Sequence, residues 1–137
     1  MQPNNPDFAR SYTRRKRNHD YHAPANYHII LKKAAGAEAF SQIIGDAMIA
    51  PGLPGCADVK WSPLGRAIAD TIHQFPMDFP MIAMYAYCVM PDHVHISLRV
   101  KEHSKYHLGY YLSHLKGRIG KAYSQKTGRG ISSDDIF

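Results

Sequence analysis

Residues 82–100 constrain the fold more than any other stretch. Ile82 to Met90 is apolar on both faces, Pro91-Asp92 is a turn pair, and His93 to Val100 alternates polar and apolar without a break. Successive side chains of a strand point to opposite faces. The alternation therefore predicts a strand with Val94, Ile96, Leu98 and Val100 on one side and His93, His95, Ser97 and Arg99 on the other. The short turn makes the two runs an antiparallel hairpin, and the apolar set packs on helices. Two imidazoles then project in parallel, one strand repeat apart. Imidazole is the commonest protein metal ligand, so the pair suits one divalent ion. With nine histidines in the chain, two solvated surface rings are the other reading of the same spacing.

The rest of the chain supplies the elements such a hairpin needs. Asn26 to Lys33 reads as a first strand, with Tyr27, Ile29 and Leu31 on one face and His28, Ile30 and Lys32 on the other. Phe40 to Gly45 is a short extra strand, and Ala50 to Lys60 is a loop by its Pro and Gly residues. Ser62-Pro63 is a serine cap followed by proline at the first helical position. Leu64, Ile68, Ile72 and Phe75 continue as one helical stripe, which Pro76 is expected to end. The two-sided apolarity of Ile82 to Met90 predicts a central or well-covered strand, with Cys88 buried in it. A second helix runs from about Tyr106 to Lys126 on the stripe Leu108, Tyr111, Leu112, Leu115, Ile119, Ala122, and Thr127-Gly128 stops it.

Strand, helix, strand, strand, helix is five-sixths of a ferredoxin-like βαββαβ unit. The expected fold is thus α+β: an antiparallel sheet with helices on one face and the histidine strand interior. The open face would carry His93, His95 and His28.

At 137 residues the chain is one domain with room for a core. Two cysteines far apart, no membrane-length apolar run and no signal-peptide core point to a reduced, cytoplasmic protein. The net charge of +6 is unevenly placed. Residues 10–33 hold seven basic residues and one acid, residues 101–137 seven and three, and residues 34–100 three and six. Two basic segments around an acidic centre suit a polyanion, since Lys and Arg release counterions from phosphates; basic tails also serve solubility alone. Residues 1–25, with Arg14, Arg15, Lys16 and Arg17, read as a mobile basic arm, and residues 26–137 as the folded domain.

The block Ala86-Tyr87-Cys88-Val89-Met90-Pro91-Asp92-His93-Val94-His95-Ile96 resembles the signature of the HUH single-tyrosine transposases, in particular the insertion-sequence-200-like and REP-associated members. In that family an apolar strand ends in Met-Pro-Asn/Asp and the next opens with His-hydrophobic-His. Weaker likeness extends to Arg15–Tyr21, Asn26–Ile30 and Leu115–Arg118. The resemblance implies single-stranded or hairpin DNA as partner, Mg²⁺ or Mn²⁺ held by His93 and His95, and a homodimer, which a bare sheet edge would favour. It also implies strand cleavage and rejoining through a 5′-phosphotyrosine. Arg14 to Arg17 with Lys116, Arg118 and Lys121 are the expected phosphate contacts.

On the same resemblance the last strand, the nucleophile helix and a third metal ligand lie past Phe137, so a truncated, inactive member is expected. Tyr123 is the one candidate for a substitute nucleophile, although its helical spacing from Leu115 and Ile119 also fits a core position. His19, His22, His73, His103, His107 and His114 read as surface or capping histidines, and Trp61 as a packing residue at the helix entry. Two other functions fit the residues: a noncatalytic nucleic-acid-binding module on the same fold, and a metal-binding ferredoxin-like interaction domain.

Overall fold

The computed structural model describes residues 18–137; the basic run Arg14 to Arg17 lies outside them. The chain is α+β, with small antiparallel sheets and, among the described residues, two helices. Strands β1 (Ala25–Lys32), β4 (Ile82–Val89) and β5 (His93–Val100) form one sheet in the order β1-β5-β4, antiparallel throughout. Strands β2 (Ser41–Ile44) and β3 (Asp58–Trp61) form a separate two-stranded hairpin. The helices are α1 (Pro63–Asp78) and α2 (Leu108–Thr127), and a 3₁₀ turn follows at Ser133–Asp135.

β5 sits in the middle of its sheet because its apolar residues have strands on both sides and helices beneath. Val94, Ile96, Leu98 and Val100 are buried and pack with Leu64, Ile68 and Ile72 of α1 and with Leu115, Ile119 and Tyr123 of α2. Ser62 caps α1 by accepting from the Gly65 N–H at 3.0 Å. Gly65 is where the chain before β2 crosses the helix: a Cβ there would fall 1.9 Å from the Phe40 carbonyl oxygen. At the far end of α2, Gly128 takes the left-handed conformation (φ 72°) and donates to Ser124. Among the described residues no helix is long and apolar enough to cross a membrane.

Several expectations are corrected. Asp58 to Lys60 belong to a strand rather than a loop, because they pair with Gln42 to Ile44 across the turn-rich segment. α1 runs through Pro76 to Asp78; a proline in the last turn gives up one hydrogen bond without blocking the turn that follows. β4 is an edge strand, not a central one. Its second apolar face is accounted for by a bulge between Met84 and Ala86, which leaves Tyr85 60% exposed. Cys88 is exposed, not buried. It lies opposite His95, and cross-strand partners share a face. Residues 18–24, expected within the mobile arm, are held to the domain. Tyr21 and His22 accept from the Leu108 and Ser104 N–H groups, and the His19 ring contacts the Tyr27 hydroxyl at 2.5 Å.

Candidate functional site

The open face of the three-stranded sheet can be read as a grid. Along β5 it carries His93, His95 and Ser97; opposite them on β1 stand Lys32, Ile30 and His28, and Cys88 and Ala86 stand opposite His95 and Ser97 on β4. His28 therefore reaches His95 along the diagonal, over the small side chain of Ser97, and its Nε2 lies 3.0 Å from His95 Nδ1. The other nitrogen of His95, Nε2, lies 2.9 Å from His93 Nε2. His93 Nδ1 in turn meets the Asp92 carboxylate at 2.6 Å. One continuous chain results: Asp92, His93, His95, His28.

If every ring is neutral, one set of tautomers satisfies that chain. Asp92 accepts, so His93 carries its proton on Nδ1 and presents a lone pair at Nε2. A carboxylate bonded to the far ring nitrogen in this way orients the histidines of metal sites and raises their basicity. The bond to His93 is the main cause holding the Asp92 carboxyl below its usual range, and partial desolvation works against it. With His93 Nε2 accepting, His95 donates from Nε2 and accepts from His28 at Nδ1. All four groups are satisfied with every ring neutral.

In separation alone, the pair would also suit an ion in place of the proton between them. Two nitrogens each about 2.1 Å from one metal and at right angles around it lie about 3.0 Å apart, close to the 2.9 Å between His93 and His95. His95 would then place its proton on Nδ1 and donate to His28. Among the described residues no group of three or more His, Cys, Asp or Glu gathers around one point to hold a metal. Such an ion would take two protein nitrogens and complete its shell with water, as hard divalent ions do.

The other expected site residues are dispersed. Tyr123 is 4% exposed in the core under the opposite sheet face, and its hydroxyl donates to Glu38 at 2.6 Å. Burial first, and the Glu38 carboxylate second, push its pKa up, the reverse of what an attacking phenolate needs. Arg118 pairs with Asp78 and lies over the Phe79 ring at 4.9 Å. Lys121 is exposed on the same flank of α2 as Arg118. Lys116 faces elsewhere, lining a groove of about 790 Å³ along β1 with His19, His28, Ile30 and Leu112. Lys116, Arg118 and Lys121, the expected phosphate contacts of α2, therefore do not form one patch.

Sequence reasoning placed His93 and His95 on one face and named His28 as their neighbour. It assigned no role to Asp92, although the carboxylate adjoins the first histidine, and it did not single out Lys32 opposite His93. The signal for Lys32 was the strand register, which sequence alone leaves open. His107 caps α2, its Nδ1 accepting from the Tyr110 N–H at 3.3 Å, and Trp61 lies under the Arg66 guanidinium at the start of α1, as expected of both. No family model matches this chain, and no curated protein or solved structure matches it either.

Proposed function

We propose that this chain is a DNA-binding protein of the HUH single-tyrosine transposase class, on a ferredoxin-like framework, with a Mg²⁺ or Mn²⁺ site formed by His93 and His95. The observation that carries the reading is the Asp92–His93–His95–His28 chain, in which each of the two ligands has an orienting partner on its far nitrogen. A bound ion would polarise a phosphoryl oxygen and stabilise charge developing during attack on a phosphodiester. Asp92 fixes the His93 tautomer, His28 fixes that of His95, and Lys32 adds a cation at the same edge of the face. The partner is single-stranded or hairpin DNA, in keeping with the basic segments before β1 and after β5. A homodimer is proposed through one of the outer strands, β1 or β4, each of which, among the described residues, pairs on one side only.

Strand cleavage and rejoining through a 5′-phosphotyrosine is the reaction of the class, and it needs a tyrosine that Tyr123 does not supply. The burial of Tyr123 and its bond to the exposed Glu38 carboxylate favour a second reading, in which the same fold binds nucleic acid without cutting it. Both are tested together. Titrating Mn²⁺ should perturb the His93 and His95 resonances before those of the other seven histidines, and His93→Ala should abolish the response. Equal response from all nine would remove the site. Incubation with hairpin-bearing single-stranded DNA and Mn²⁺ should give no denaturation-resistant adduct. An adduct lost on Tyr123→Phe would overturn the placement of that residue and make it the nucleophile.

A further inference from the structure

The outer flank of α2 carries an unusual stripe. Tyr106 and Tyr110 stack with ring centroids 3.9 Å apart and planes at 11°. Tyr110 meets His114 at 4.4 Å, and His114 packs on Phe79 at 5.4 Å. Arg118 closes the row over the same Phe79 ring. Positions 110, 114 and 118 are four apart, so within the helix they lie one above another along a single side, and Tyr106, just before the His107 cap, extends the row by its stack on Tyr110. Lys105 Nζ sits 5.5 Å from the Tyr106 ring at one end, and Lys121 is exposed at the other.

Beside the stripe, Ser113, His114, Gly117, Arg118 and Lys121 line an open groove of about 330 Å³. Gly117 forms its floor. Glycine inside a helix costs stability relative to alanine, and packing gives no return for it here: a Cβ at Gly117 would meet nothing within 4 Å. Gly120, one turn on, differs, because there a Cβ would press on the Ser133 nitrogen at 3.0 Å. An open floor beside stacked rings and cations leaves space for a flat group from outside the chain.

We propose that this flank is a track for single-stranded nucleic acid. Bases stack on the Tyr106–Tyr110–His114 row and enter the Gly117 groove, while Lys105 and Lys121 pair with phosphates. Every base has a π-face, so aromatic platforms bind single strands with little sequence preference, and flanking cations track the backbone. The inference rests on the nucleic-acid reading above for its class of partner, and not on the histidine site.

The test uses the full chain in EDTA and fluorescence anisotropy with labelled oligo-dT and oligo-rU. Binding of either supports the track, and the tighter one names the polymer. Tyr110→Ala should weaken binding about tenfold, within the range for one lost base stack, while Tyr110→Phe should bind as the parent does. Gly117→Leu should keep or raise the melting temperature and still weaken binding, a combination that misfolding does not produce. Lys121→Gln should lower the salt slope by about one unit. Unchanged affinity in Gly117→Leu and Tyr110→Ala would overturn the track, as would polyglutamate displacing the oligonucleotide as readily as unlabelled oligo-dT. Failure of both oligonucleotides to bind, with the Mn²⁺ response of His93 intact, would sink the track and leave the metal site standing.

Discussion

The two faces of β5 are made by the same eight residues and have opposite characters. Val94, Ile96, Leu98 and Val100 are at most 1% exposed and join the core shared with both helices. His93, His95, Ser97 and Arg99, interleaved with them, are half-buried and face a surface where polar contacts run from strand to strand. One face removes apolar area from water, on the order of 1.5–3 kcal/mol for each large side chain. The other holds a hydrogen-bonded row whose members stay within reach of solvent. A slip of one residue in register would exchange the two sets, so the apolar residues fix the phase of the histidines as well as the stability of the sheet.

The largest expected effect follows from breaking that division on its buried side. Ile96→Ala leaves a cavity beneath the middle strand and should cost about 3 kcal/mol in urea unfolding, within the range for Ile→Ala in a core. His95→Ala, one residue away, should change stability far less and remove the metal response instead. Similar losses in both variants would mean the two faces are not separate in function. Next in size is the orienting carboxylate. Asp92→Asn should weaken Mn²⁺ binding about 10- to 100-fold, the usual consequence of losing a partner behind a ligating histidine, with little change in melting temperature because Asp92 is itself exposed. Isothermal titration of Mn²⁺ reads the first quantity and thermal unfolding the second.

Strict alternation from His93 to Val100 made the strand, its two faces and its hairpin with β4 legible in the sequence. The helix entry at Ser62-Pro63 was legible for the same reason: the signal lies within a few residues and has one physical meaning. What was not legible depends on which strand lies beside which. Ile82 to Val89 reads as a central or well-covered strand by composition, and the pairing and the bulge at Met84/Ala86 show that it lies at the edge of its sheet. Cys88 was misplaced through the same error. His28 was legible as a neighbour of the histidine pair, but its contact with His95, across 67 residues, follows from a register that no local pattern encodes. Arg118, an expected phosphate contact, also meets Asp78 and Phe79 at the end of the other helix, contacts that no local pattern encodes.

Tyr123 extends the comparison to a hydroxyl on the covered side. Tyr123→Phe removes its bond to Glu38 and should cost about 1 kcal/mol, with no effect on Mn²⁺ binding at the open face. Its pKa is raised in the folded state, chiefly by burial, so folding favours the neutral phenol. Stability from this group is present below the unfolded tyrosine value of about 10 and is lost as pH rises through the higher folded value. Tyr27, Tyr87 and Tyr110 are shifted the same way. Melting temperatures should therefore fall above pH of about 10, and fall less in Tyr123→Phe. A decline of the same depth in the variant would mean that the buried hydroxyl contributes nothing to it.

The smallest effect on stability belongs to Cys88, and it is the sharpest check on the strand phase. Cys88 stands opposite His95 on the open face, exposed, with its thiol 3.4 Å from the Met90 sulfur. Cys88→Ser should therefore change unfolding free energy by no more than about 0.5 kcal/mol, as surface substitutions do. Iodoacetamide should modify Cys88 in the native protein, with peptide mass mapping to separate it from Cys56. Because the modified side chain would stand beside His95, alkylation should also weaken the Mn²⁺ response of that ring, and Cys88→Ser should be immune to the reagent's effect. If Cys88 reacts only after denaturation, β4 presents its other face to solvent. The pairing of Cys88 with His95 would then be wrong, and with it the assignment of the histidines to the open side of the sheet.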